Sequence, residues 1–219
     1  MKKTLSMFIA AASFLLMTIA FNACKKTSDT NAHTPAAGLM AFNLVPDSTA
    51  VGFSLSGNNF TATPLGYTDY TGNYRSVYTG TRNVTAYNFY TGAALATTSQ
   101  LFADSAYYSA FAVGTNGNYK NVVVQDNFDS LSAASGDAFV RYINAIPDST
   151  LQPTVTISSG GSNVIDTTAA FSGISNFKGI TPGDISINVN TESGATANRT
   201  ITVEQGKIYT ILLVGQPAA

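Results

Sequence analysis

The octapeptide Phe42-Asn43-Leu44-Val45-Pro46-Asp47-Ser48-Thr49 returns as Ile143-Asn144-Ala145-Ile146-Pro147-Asp148-Ser149-Thr150, displaced by 101 residues. Tyr108-Ser109-Ala110-Phe111-Ala112-Val113-Gly114 returns at the same displacement as Tyr209-Thr210-Ile211-Leu212-Leu213-Val214-Gly215. Between these, Tyr74, Gly80, Val84 and Ala86 are answered by Phe177, Gly183, Ile187 and Val189 at a displacement of 103. A register that drifts by two and comes back is what compensating loop changes in two copies of one fold produce. Each copy then has roughly 80 to 100 residues in which to build a core, an ordinary size for a small domain. The boundaries that follow are 38–127 for the first copy, 128–135 for the connection and 136–216 for the second copy.

Within each copy the apolar period is two. Asp184-Ile185-Ser186-Ile187-Asn188-Val189-Asn190 alternates strictly, as a half-buried antiparallel strand does, and Val155-Thr156-Ile157, Thr200-Ile201-Thr202-Val203 and Val84-Thr85-Ala86-Tyr87-Asn88-Phe89 continue the pattern. Turn signals separate the runs: Pro-Asp-Ser-Thr in both copies, Gly57-Asn58-Asn59, Pro182-Gly183-Asp184, Glu192-Ser193-Gly194 and Gln205-Gly206-Lys207. About seven short strands per copy point to an all-β chain of two tandem antiparallel β-sandwich domains.

Ahead of the repeat lies an address. Lys2 and Lys3 precede an apolar run, Thr4 to Ala20, and Phe21-Asn22-Ala23-Cys24 follows. That order of parts is a secretory signal over 1–23. Cys24 is the sole cysteine and stands where cleavage would fall, which resembles a bacterial lipoprotein signal whose sulfur receives a diacylglyceryl group. The run is short for a bilayer span of ~20 residues, and Ser6, Ser13 and Thr18 dilute it. With Cys24 consumed, no disulfide forms within the mature chain. Lys25 after the cysteine gives no Asp-type retention signal, so an outer-membrane lipoprotein is expected. Residues 24–37 read as the lipidated cysteine and a flexible tether, polar and without period, that carries the sole histidine, His33.

The Pro-Asp pair after the first strand, Leu65-Gly66-Tyr67-Thr68-Asp69-Tyr70, the turn at Gly80 and the ending Tyr209 to Gly215 together resemble the secreted family catalogued as domain of unknown function 4397, in its Bacteroidota lipoprotein form. The resemblance covers most of Met40 to Gly215. It implies a pair of immunoglobulin-like or transthyretin-like domains at the cell envelope and brings no functional residue with it.

The stock of reactive residues is poor: one His, one Cys, no Trp and two glutamates, Glu192 and Glu204, both in turn-like contexts. A nucleophilic triad lacks its histidine, because a tether gives His33 no rigid partners, and no Gly-x-Ser-x-Gly elbow is present. Ser158-Ser159-Gly160-Gly161-Ser162 lacks the lysine of a phosphate loop. No enzyme, cofactor or metal is expected. Eleven basic residues against 12 acidic ones leave nothing to neutralise nucleic-acid phosphates. Asp126, Asn127 and Asp129 lack the Gly and Glu of an EF-type loop and read as a solvated connection. Pro46-Asp47 and Pro147-Asp148 read as turns, with proline fixing φ and the Asp side chain accepting N–H groups two residues on.

Tyrosine is the asymmetry. Nine of the 11 tyrosines lie between Tyr67 and Tyr119, and the second copy keeps Tyr142 and Tyr209. Tyr108 and Tyr209 correspond, so their expected role is structural. Tyr67, Tyr70 and Tyr74 crowd a Gly- and Thr-rich connection and form the candidate surface for an extracellular protein or glycan, since such rings give rigid contact area with a polar tip. The absence of Trp shifts the balance toward a protein partner. The competing expectation is a structural spacer, with these rings filling the first core.

Overall fold

The strict alternation of the outer strands and the continuous apolar runs of a few others have one explanation in the computed structural model, which describes residues 33–132, 136–147, 152–191 and 194–215. The first copy contains β1 (Ala36–Leu44), β2 (Val51–Leu55), β3 (Asn58–Asn59), β4 (Arg75–Tyr78), β5 (Gly80–Asn88), β6 (Ala94–Phe102), β7 (Tyr107–Thr115) and β8 (Asn118–Gln125). The second contains β9 (Ala138–Asn144), β10 (Thr154–Ser159), β11 (Ser162–Thr168), β12 (Lys178–Ile180), β13 (Gly183–Asn190), β14 (Thr196–Val203) and β15 (Ile208–Leu213). Strand for strand, β1–β7 correspond to β9–β15. β8 has no counterpart among the described residues. The first strand begins at Ala36, two residues inside the stretch expected as tether.

Each copy is a sandwich of two sheets. In the first these are β4-β1-β7-β8 and β3-β2-β5-β6; in the second, β12-β9-β15 and β11-β10-β13-β14. Pairing is antiparallel except that the first and last shared strands of each copy run parallel, β1 beside β7 and β9 beside β15. Leu39, Ala41, Val51, Phe53, Val84 and Phe102 fill the first core, and Val140, Val155, Ile157, Ile180, Ile185 and Val203 the second.

A third cluster joins the copies. Phe42, Leu44, Phe111 and Val113 of the first pack with Ile143 and Ala145 of the second, flanked by Val122, Val124, Phe171, Ile174 and Leu212. β1, β7 and β9 are therefore covered on both faces, one toward their own sandwich and one toward the other copy. That is why Met40-Ala41-Phe42-Asn43-Leu44 and Ala138-Phe139-Val140-Arg141-Tyr142-Ile143 read as near-continuous runs, whereas β5 and β13, wet on one face, alternate. Pro35–Ala219 accordingly form one compact unit.

The repeated octapeptide works through its asparagine. Asn43 is fully buried; its amide nitrogen donates to the carbonyls of Ser48 and Leu65, and its oxygen accepts the Val45 N–H. Asn144, equally buried, repeats this with Ala169 and Ile146. The loop that each asparagine holds is itself repeated. Thr68 donates its N–H to Asn43, and Ser172 to Asn144, both from left-handed backbone at φ 69° and 63°. Leu65–Tyr70 therefore corresponds to Ala169–Ile174 at a displacement of 104, a match that the sequences alone leave obscure. Tyr108 and Tyr209 are structural as expected: each hydroxyl accepts a backbone N–H five residues upstream, from Ala103 and Glu204, both at 3.0 Å. This is the corner by which sandwich domains pin a crossing loop.

Candidate functional site

The tyrosines singled out by the sequence all fall along the seam between the copies, at positions where the second copy carries an apolar residue. Tyr67 corresponds to Phe171, Tyr70 to Ile174 and Tyr74 to Phe177. Tyr67 is half-buried; burial pushes its hydroxyl above the usual tyrosine range, and a main-chain hydrogen bond from Gly215 of the second copy pulls back in part. Tyr70 is 51% exposed and stacks on Phe42, ring centroids 5.3 Å apart. Tyr74 is half-buried and donates its hydroxyl to Asp126 Oδ2 at 2.7 Å. Its ionisation is raised well above the ordinary value, by burial first and by the Asp126 carboxylate second. The three rings do not form one open patch: Tyr67 turns toward Gly215, Tyr74 sets its hydroxyl on Asp126, and Tyr70 is the exposed one of the three.

Asp126 corrects another expectation. Read as part of a solvated connection, it is instead buried beside Arg141, with Arg141 Nη1 and Asp126 Oδ1 2.5 Å apart and side-chain exposures of 4% and 0%. Arg141 also donates to Ser109 Oγ at 3.1 Å and to Thr210 Oγ1 at 3.0 Å, and Ser109 donates to Asp126 Oδ2 at 2.7 Å. The Phe177 ring lies 4.2 Å from the guanidinium carbon. A charge on β9 needs this whole shell because a buried ion left without partners costs several kcal/mol. The sequence held one signal: Arg141 interrupts an apolar run where the first copy has Met40. Phe128, in a single 3-10 turn after β8, packs on Tyr74, Tyr107 and Phe177, so the connection is anchored at its start.

The Pro-Asp turn stands as expected in its backbone, with Pro46 and Asp47 at the centre of a turn closed by the Ser48 N–H on Val45. Its carboxylate does something else. Rather than capping its own turn, Asp47 reaches the β7–β8 hairpin, where it accepts the Asn116 N–H at 2.7 Å and the Tyr119 hydroxyl at 3.0 Å. Asn43 already holds the turn, which leaves Asp47 for a longer contact. Pro147 is half-buried at the matching place, while Asp148 lies outside the described residues, as do the leader and Cys24.

One concave surface joins the anticipated and the unanticipated aromatics. Tyr74 and Tyr107 meet edge to face at 5.1 Å over Gly38, and with Arg75, Ser76 and Ser105 they line a groove of about 340 Å³. Gly38 is required there, because a Cβ would come within 2.6 Å of the Tyr107 ring. The groove has aromatic walls, a backbone floor and one cation at its rim. It offers stacking and hydrogen bonding and holds no acid–base pair. Elsewhere on the first copy Tyr78 and Tyr90 are 70% and 80% exposed, whereas no tyrosine of the second copy is exposed. Among the described residues, no three of His, Cys, Asp and Glu gather as metal ligands.

The family model described as domain of unknown function (DUF4397) matches the chain twice, over residues 37–150 and 138–219. No curated protein matches it. The chain belongs to the DUF4397 family.

Proposed function

We propose that this DUF4397 protein is a non-catalytic lipoprotein, anchored to the outer membrane through Cys24, whose first copy binds an extracellular protein or glycan. The observation that carries this reading is the groove walled by Tyr74 and Tyr107 over Gly38, on the copy that also bears the exposed Tyr70, Tyr78 and Tyr90. Rings held by neighbours lose little entropy on binding, and their hydroxyls supply polar contacts at the rim. The leader that ends at Cys24 supports the anchor.

Tyr107→Ala removes one groove wall and the edge-to-face contact with Tyr74; the Tyr107 ring lies in neither core, and the Tyr74–Asp126 hydrogen bond does not use it. Binding to extracellular proteins in pull-downs and to a glycan array is expected to fall at least tenfold while the thermal midpoint stays within about 2 °C. Unchanged binding would remove the groove from consideration. Replacing Cys24 with Ala is expected to abolish palmitate labelling and membrane fractionation; a variant that stays with membranes would refute the anchor.

The spacer reading has its own support in the seam. A third apolar cluster and a buried ion pair hold the two copies as one unit, which suits a tethered stalk. If no Tyr107-dependent ligand is found, the spacer is the reading that stands.

A further inference from the structure

In the first copy, β8 closes the flank between the two sheets. It pairs antiparallel with β7 over its whole length, turns Tyr119 and Val123 onto the core, and inserts Asn121, whose amide donates to the carbonyls of Val84 at 2.9 Å and Ala96 at 2.8 Å. Thr98 on β6 donates in return to the Asn121 carbonyl at 3.1 Å. The second copy reproduces the walls of this flank. Ile187 stands opposite Arg199 and Val189 opposite Ala197, as Val84 stands opposite Thr98 and Ala86 opposite Ala96. Among the described residues, however, nothing pairs with β15 on its outer side. What remains is a groove of about 670 Å³ lined by Ile187, Val189, Ala197, Arg199, Ile201 and Ile211, with Thr68 of the first copy at one end.

The free edge is set for pairing. The Lys207 and Leu213 carbonyls face β9, where they accept the N–H groups of Phe139 and Ala145. By strand alternation the backbone groups of Ile208, Thr210 and Leu212 face outward. The repeat agrees: Tyr107, the counterpart of Ile208, uses its carbonyl to accept the Asp126 N–H just beyond β8.

We infer that this groove receives an extended segment of another protein, added as an antiparallel strand beside β15, with apolar side chains at alternate positions and an acidic residue set against Arg199. Three observations select this occupant. β8 shows what fits the matching flank, and β8 itself is already paired in the first copy. Arg199 is the one charged side chain in the lining, where the first copy has the neutral Thr98, so a carboxylate finds a partner there that β8 does not need. A strand at this edge would also extend the sheet whose other face forms the seam, as Val122 and Val124 of β8 do. The tether sequence Lys25-Lys26-Thr27-Ser28-Asp29-Thr30 lacks the apolar alternation. Strand addition to an open edge supplies affinity through main-chain bonds and specificity through the alternate side chains. The site is separate from the Tyr74–Tyr107 groove and stands without it.

The probe is a fluorescein-labelled octapeptide with the β8 sequence, Asn118 to Gln125, titrated against the purified full chain by polarisation. Saturable binding is expected, tighter for a peptide carrying Asn121→Asp and at least tenfold weaker for one carrying Val122→Pro, which removes an N–H aimed at the edge. Ala197 is exposed, so Ala197→Tyr fills the groove in a folded chain and is expected to weaken binding at least tenfold. In the unsubstituted chain, amide exchange at Ile208, Thr210 and Leu212 is expected to slow when the peptide is present. Absence of saturable binding overturns the inference. So does binding indifferent to Ala197→Tyr, which would mean exchange with β8 in the first copy. A dimer that Ala197→Tyr disperses would assign the groove to a second copy of this chain and overturn it as well.

Discussion

Tyr74 and Phe177 are the same residue of the repeat, 103 positions apart, and they close on the same buried ion pair from opposite copies. Tyr74 donates its hydroxyl to Asp126, and Phe177 lays its ring over Arg141. Ser109 and Thr210, also equivalent, both accept from Arg141. The pair thus sits near a local two-fold relation between the copies, with the charges breaking the symmetry: Arg141 replaces what is Met40 in the first copy, and Asp126 follows β8, which has no counterpart among the described residues of the second.

Arg141→Met places the first copy's residue in the second. It leaves Asp126 buried without its cation, and removing one partner of a buried pair costs about 3–5 kcal/mol. The double variant Arg141→Met, Asp126→Asn removes both charges and should recover much of that loss. Urea unfolding of the single and double variants measures both. Equal losses in the two would mean that the charges do not hold one another.

Raising the pH should loosen the same seam. In the unfolded chain tyrosine gives up its proton near 10. Tyr74 holds its proton to well above that, and Tyr67 and Tyr142 are raised as well, by burial. A folded-state value above the unfolded one means stability fully present below pH 10 and lost as pH rises past it, since the unfolded state then binds fewer protons. Absorbance at 295 nm should show late-titrating tyrosines, one fewer in Tyr74→Phe, and thermal midpoints should fall from pH 10 upward. A single titration step near 10 for all 11 tyrosines would contradict this.

Asn43→Ala and Asn144→Ala test the repeated clamp. Asn43→Ala strands two buried carbonyls and an N–H, and Asn144→Ala a described carbonyl and an N–H, at about 1–3 kcal/mol per buried unsatisfied group. Asn43 makes two amide donations and Asn144 one with a described partner, so the first substitution should cost more. Denaturant midpoints at constant slope are the readout. Neutral substitutions would mean that proline alone sets these turns.

What the sequence disclosed and what it withheld divide along a physical line. Period two, the returning displacement and the Pro-Asp turns were legible because each is local or directly repeated, and they yield two sandwiches. Tyr108 and Tyr209 declared themselves structural for the same reason. The seam was harder to see. Its signal was the loss of alternation in β1, β7 and β9, and such a run equally suits a strand buried inside one sandwich. Asp126 looked solvated because its partner lies 15 positions away on the next strand. Tyr67, Tyr70 and Tyr74 looked unique to the first copy because their counterparts, Phe171, Ile174 and Phe177, lack a hydroxyl and sit in a register shifted by 103 or 104. Hydroxyl chemistry differs between the copies where packing is shared.

Gly114 and Gly215 are equivalent in the repeat, yet the two copies ask different things of them. Gly114 leads into the β7–β8 hairpin at φ 107°, and a Cβ there would meet the Asn118 carbonyl oxygen. Gly215 has no such φ, and its Cβ would touch only Ile146 at 3.9 Å. Gly114→Ala therefore carries left-handed strain on the order of 1–3 kcal/mol and displaces the start of β8, including the Asn116 and Tyr119 contacts with Asp47. Gly215→Ala should shift stability by less than about 0.5 kcal/mol. Unfolding curves for the two variants, with amide exchange along β8, separate the cases. Similar losses at both positions would mean that the hairpin into β8 does not depend on the backbone that only Gly114 supplies.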